Sequence, residues 1–122
     1  MKEDKIKEVY NKEEDISKII ELLKPFSFNN LKKTSHFYHS LDEKATDISI
    51  LKENFKDFER IRLINKREHR NGEISYDLYY EMDLGYLVYC IKLDKVPVLL
   101  NGFHVKRDLK KFREHLLRKF KK

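Results

Sequence analysis

The stretch IRLINKREHRNGEISYDLYYEMDLGYLVYCIKLDKVPVLLNGF, residues 61–103, decides the fold. Asn71-Gly72 stands between two extended runs. Asn-Gly is the strongest short-range hairpin signal, because both central residues of a type I′ turn need positive φ. Closing that turn sets Arg70 opposite Glu73, and the pairing follows by counting. Arg62 then faces Glu81, Lys66 faces Asp77, Leu63 faces Tyr80 and Arg67 faces Tyr76. The expected sheet carries a ladder of opposite charges on one face and an apolar second face with a basic end.

The next turn, Asp83-Leu84-Gly85, fits a three-residue loop with Gly85 in the left-handed position. Counting across it pairs Tyr80 with Val88, Leu78 with Cys90 and Tyr76 with Lys92. Strands are expected at about 58–70, 73–82, 86–93 and 96–103. The last two, LVYCIKL and VPVLLNGF, are apolar at successive positions and so are covered on both faces. One cover is helical, and the other is the N-terminal helix or a partner chain.

Around this meander the apolar spacing predicts helices. Residues 3–24 carry Ile6, Val9, Tyr10, Ile16, Ile19, Ile20 and Leu23 at helical intervals, ended by Lys24-Pro25. Residues 26–33 read as a connector. Ser35 is a candidate cap for a second helix and Asp47 for a third, since Thr46-Asp47 interrupts the pattern with residues that favour caps. A last helix from about Lys106 to Phe120 carries Leu109, Phe112, Leu116 and Phe120 on one stripe. The predicted class is α+β: N-terminal helices, a four-stranded antiparallel meander and a basic C-terminal helix. The 122 residues form one domain, with 1–34 as a helical extension and connector and 35–122 as the core.

The charge is unevenly spread over a net +6. Residues 103–122 hold nine Lys/Arg against two acids, and residues 60–70 hold five against one. Clustered basic charge points to a polyanion or an acidic protein as partner, although a basic terminal helix also keeps a small domain soluble. No apolar run approaches the ~20 residues of a membrane span, and the first ten residues lack the apolar segment of a secretory signal. The single cysteine, Cys90, excludes an internal disulfide and suits a reducing compartment, so a cytoplasmic location is expected. The absence of glutamine and the abundance of Lys, Glu and Ile fit a thermophile.

Two clusters could carry chemistry. Arg67, Tyr76 and Lys92 fall side by side on neighbouring strands in the counted register. There the cations would hold phosphates and the tyrosine would stack on a base. A cation resting on an aromatic ring at the edge of the sheet accounts for the same residues. Arg62 and Lys66 each meet an acid directly across, a pairing that contributes ~0.2–1 kcal/mol and needs no ligand. The second cluster is NGFHVKRD, residues 101–108, where His104, Lys106 and Arg107 gather at a strand-to-helix junction. His104 could exchange a proton near neutral pH, and Arg107 could stabilise a charged phosphorane. The clusters lie ~20 Å apart at ~3.3 Å per residue, so one RNA strand could touch both but only one could hold the scissile bond. His36 and His39 are three apart on a helix with Asp42 one turn on, but no further ligand stands near them in sequence, and they read as helix surface. Cys90 reads as a core residue. There is no phosphate loop, zinc finger, dinucleotide fingerprint or G-x-S-x-G, and no cofactor or metal is expected.

The run YDLYYEMDLGYLVYCIKL followed by VLLNGFHVKRDLKKFREHLLRK resembles the RelE/HigB-like toxins of toxin–antitoxin systems. In that superfamily a helical pair precedes an antiparallel meander, and a strand of the form YRVLYE leads through a short turn to hLLhGFxKK and a basic helix. Tyr76, Tyr80 and Glu81 match the first pattern. Leu99, Leu100, Gly102 and Phe103 match the second, and Lys106 and Arg107 take the place of the basic pair. The resemblance covers roughly residues 35–120. It implies metal-independent cleavage of mRNA or ribosome-associated RNA, and the junction chemistry makes His104 and Arg107 the candidate catalytic residues. The candidate RNA-binding residues, read from the counted register and the basic helix, are Arg67, Tyr76, Lys92, Lys106, Lys110 and Lys111. RNA or the ribosome and an acidic antitoxin are the implied partners, with no membrane and with homodimerisation left open. Asp77 departs from the pattern, since it replaces the family's usual arginine and removes a phosphate-binding residue. The alternatives are a non-catalytic RNA- or ribosome-binding protein of the same fold, and an interaction module whose apolar sheet face binds a partner helix.

Overall fold

A computed structural model describes residues 5–120, and shows a sheet of six strands rather than four. The chain runs β1 (Lys5–Tyr10), α1 (Glu13–Leu23), β2 (Lys32–Lys33), α2 (Ser35–Glu43), α3 (Ile48–Asn54), β3 (Ile61–Glu68), β4 (Ile74–Glu81), β5 (Tyr86–Lys92), β6 (Val98–Val105) and α4 (Leu109–Phe120). Short 3₁₀ turns stand at Phe28–Asn30 and Phe58–Arg60. The strand order is β1-β3-β4-β5-β6-β2. The α+β class therefore holds, and the meander β3–β6 is its centre. β1 is added antiparallel at one edge and β2 parallel at the other.

The N-terminal expectation is corrected. Residues 5–10 form a strand, while residues 3 and 4 of the expected helix lie outside the described residues. The reason is a bulge between Ile6 and Glu8. An extra residue there lets Ile6 and Val9, three apart, reach the same cluster under α4, so an edge strand carries a helix-like spacing. Cross-strand pairs Lys7–Glu68 at 3.7 Å and Glu8–Lys66 at 3.8 Å hold it to β3.

Both hairpin registers are one residue away from the count. Of Asn71 and Gly72 only Gly72 takes positive φ, at 87°, and its N–H donates to His69 O at 2.8 Å. His69 N–H then donates to Glu73 O, also at 2.8 Å. The loop is thus Arg70-Asn71-Gly72, a turn followed by a left-handed glycine, and not a two-residue type I′ turn. Lys66 consequently faces Tyr76, and Asn65 faces Asp77. A bulge between Ile61 and Leu63 leaves Arg62 without a direct opposite, although its Nε stays 3.5 Å from Glu81 Oε1. Across the second turn Glu81 faces Tyr86, Leu78 faces Tyr89 and Asp77 faces Cys90. Gly85, at φ 78°, closes that turn by accepting from Met82 N–H at 3.1 Å.

Helices of this chain pack on both faces of the sheet. On one, Leu78, Tyr80, Leu87, Tyr89 and Ile91 meet Ile16 and Leu23 of α1, Phe37 of α2 and Leu51 of α3. Tyr80 and Tyr89 are fully buried, and their hydroxyls donate to Phe55 O at 2.7 Å and Leu51 O at 2.5 Å. Burying these rings is favourable only because each hydroxyl finds such an acceptor. On the other face, Leu63, Tyr79, Tyr86 and Val88 meet Leu109 and Leu116 of α4. The side chain of Phe120, expected in that stripe, lies outside the described residues. Asp47 caps α3 as expected, accepting from Ser49 N–H at 3.0 Å, but Thr34 and not Ser35 caps α2, accepting from Phe37 N–H at 3.1 Å. No helix among the described residues is long and apolar enough to cross a membrane.

Candidate nucleic-acid interface

The α4-side face of the sheet is open beyond the helix, and a groove of about 300 Å³ lies there. Its floor comes from neighbouring strands: Arg67 of β3, Ser75 and Asp77 of β4, Cys90 of β5, and Asn101 and Phe103 of β6. Alternation along the strands puts these residues on one side. His36 and Lys44, at the two ends of α2, reach its rim, and His69 enters from the first hairpin.

Three donors converge on one buried oxygen. Asp77 Oδ2 accepts from Arg67 Nε at 3.0 Å, Arg67 Nη2 at 2.7 Å and Asn65 Nδ2 at 2.6 Å. Asp77 is 1% exposed, and the guanidinium paired with it offsets the cost of burying a carboxylate. Burial works against the Arg67 charge, and Asp77 outweighs that effect and raises the Arg67 pKa. Burial also pushes the Cys90 thiol well up, and the Asp77 carboxylate adds to the shift. His69 Nε2 lies 2.7 Å from the hydroxyl of buried Ser75, and Lys44 Nζ sits 3.8 Å above the Phe103 ring. The groove thus combines two imidazoles, a lysine and an arginine around one carboxylate.

The first expected cluster does not form. Arg67 lies opposite Ser75 and Tyr76 opposite Lys66, which sets Arg67 and Tyr76 on opposite faces of the sheet. Tyr76 packs against the core under α1–α3. Lys92 turns to Glu73, at 3.2 Å. Of the three, only Arg67 enters the groove. Lys66 pairs with Glu8 rather than Asp77, and Arg60 pairs with Asp57 at 3.9 Å and donates to Glu81 O at 3.2 Å.

The junction cluster is divided as well. His104 shares the side of Gly102, which faces Phe37 and Leu51, and its Nε2 is 2.8 Å from Leu84 O. Lys106 and Arg107 line a separate cleft beside Arg60, Arg62 and Glu81 that does not include His104. The helix starts at Leu109, with Asp108 Oδ1 accepting from Lys110 N–H at 2.9 Å, so Lys106 and Arg107 precede it. The basic residues of its first turn are Lys110 and Lys111, both exposed. Among the described residues no ion pair ties Lys106, Arg107, Lys110 or Lys111.

The sequence reading missed His36, Lys44, His69, Ser75, Asn101 and Phe103 as one site. Their spacing carries no motif, because α2 and the sheet come together only in three dimensions. His36 read as helix surface, and no three-residue His/Cys/Asp/Glu group suited to a metal occurs among the described residues. The one local signal was Asp77, whose departure from the expected arginine marks the buried centre of the groove floor. The chain matches no known protein family, no curated protein and no solved structure.

Proposed function

We propose that this chain is a RelE-like endoribonuclease that acts on mRNA or ribosome-associated RNA without a metal, with the scissile phosphodiester in the sheet-face groove. The observation that carries the reading is the meeting of His36, His69, Lys44 and Arg67 in one groove. A helical pair before the meander and a basic helix after it support it too.

Histidine titrates near neutral pH, so two of them can act as an acid and base pair. One neutral imidazole takes the proton of a 2′-hydroxyl as that oxygen attacks phosphorus. The other, protonated, gives its proton to the 5′ oxygen as the P–O5′ bond breaks. The products are a 2′,3′-cyclic phosphate and a 5′-hydroxyl. Arg67, which keeps its charge, and Lys44 would stabilise the phosphorane between these steps. The exposed basic residues of 106–111 would bind the flanking strand, and the same face suits an acidic antitoxin.

The Arg67–Asp77 pair favours a second reading, RNA binding without cleavage, because the carboxylate offsets part of the cation's charge. An interaction module with an open apolar sheet face has less support, since α1–α3 and α4 cover the two faces.

The test is RNA cleavage in excess chelator, with free RNA and with ribosomes. His36→Ala and His69→Ala are expected to lose on the order of 10²-fold or more in rate. Loss confined to His104→Ala and Arg107→Ala would return the chemistry to the junction. No cleavage by folded wild-type protein that still binds RNA would establish the non-catalytic reading.

A further inference from the structure

Beyond the groove, α4 and the start of β5 enclose a recess of about 520 Å³, within the ~300–1,000 Å³ range of small-molecule sites. Its apolar wall is Tyr86 and Phe112. Phe112 stacks on Tyr86 with centroids 5.8 Å apart and planes at 25°, and meets Tyr79 at 5.1 Å. Tyr79 in turn lines the groove, so the aromatic row joins the two depressions. Arg107, Lys111 and His115 line the recess at intervals of four residues. The acid among them, Asp108, has one oxygen engaged with Lys110 N–H. Arg107 and Lys111 have no ion pair among the described residues, and with Asp108 as the single acid of the lining the two cations leave the rim net positive.

We propose that this recess is a nucleotide subsite, in which an unpaired base of single-stranded RNA lies against Phe112 and Tyr86 and its phosphates meet Arg107 and Lys111. Aromatic walls with adjoining cations are what a single strand needs, because every base has a π-face and every linkage a charge. A protein segment would also use the apolar wall, but the net positive rim selects a ligand with regularly spaced negative charge. The proposal rests on the RNA reading for its ligand and not on cleavage.

The experiment is anisotropy titration of fluorescein-labelled hexa-adenylate with the full chain, at several salt concentrations. Phe112→Leu keeps an apolar side chain and removes the ring. It is expected to raise Kd on the order of tenfold. Arg107→Gln and Lys111→Gln, both at exposed positions, are each expected to raise Kd and flatten the salt dependence, by a slope of ~0.7 for each phosphate no longer neutralised. Unchanged binding by Phe112→Leu, or unchanged salt slopes for both glutamine variants, would overturn the subsite. AMP bound as tightly as the hexamer would overturn RNA as the ligand. Wild-type protein that binds with this pattern yet never cleaves would refute the nuclease reading and leave the subsite standing. Cleavage with none of these dependences would do the reverse.

Discussion

Arg67 and Asp77 sit diagonally across the β3–β4 pair, and Arg67 Nη2 lies 2.7 Å from Asp77 Oδ2. The residues directly opposite them are Ser75 and Asn65. The diagonal lets the long arginine side chain reach back along the sheet face while Asn65 binds the same oxygen at 2.6 Å. Asp77 is therefore the anchor that fixes Arg67 in the groove.

Removing the carboxylate leaves a partly buried guanidinium without its partner. Asp77→Ala is expected to cost ~3 kcal/mol, the low end for breaking a buried pair, because the Arg67 side chain keeps 29% exposure. Urea denaturation checks this. A midpoint equal to wild type would mean that the pair is solvated and does not organise the groove floor. The double change Arg67→Met with Asp77→Leu is expected to recover most of the loss, since no lone charge remains.

The two left-handed glycines are expected to differ in tolerance. A Cβ on Gly85 would stand 1.9 Å from Val105 O and 2.9 Å from Lys106 Cα, and both obstacles are backbone. A Cβ on Gly72 meets nothing within 4 Å, so only the positive φ opposes it, at ~1–2 kcal/mol. Gly85→Ala should therefore lower Tm well beyond Gly72→Ala, measured by circular dichroism. Equal losses would show that the Gly85 turn does not press against the end of β6.

These positions also show what could be read without coordinates. Gly72 and Gly85 do close the two hairpins, and Asp47 does cap a helix, because turns and caps depend on local chemistry. The register does not. A three-residue loop at Arg70-Asn71-Gly72 and a two-residue turn at Asn71-Gly72 use the same residues and differ by one in pairing. That single step moved Asp77 from an expected pair with Lys66 to the buried network with Arg67, and dissolved the Arg67–Tyr76–Lys92 cluster. β1 was hidden by its bulge. The groove was hidden by topology, since His36 and Lys44 belong to a helix that reaches the strands only through packing.

Cys90 offers a reading of the groove floor that does not depend on RNA. Burial first, and then the Asp77 carboxylate, push its thiol well above the ordinary range. Only the thiolate is nucleophilic, so a raised pKa leaves little of it at pH 8. Alkylation by iodoacetamide should be much slower than that of a free thiol at pH 8. The rate should keep climbing with pH beyond the ~8.5 at which a free cysteine is half ionised. Asp77→Asn removes the negative neighbour, which lowers the thiol pKa and speeds labelling at pH 8. The labelled site is read by mass spectrometry of the intact folded chain. Labelling of wild type at the free-thiol rate, or slower labelling in Asp77→Asn, would show that the Asp77 charge does not act on Cys90. The close Asp77–Cys90 pairing across β4 and β5 would then fail with it.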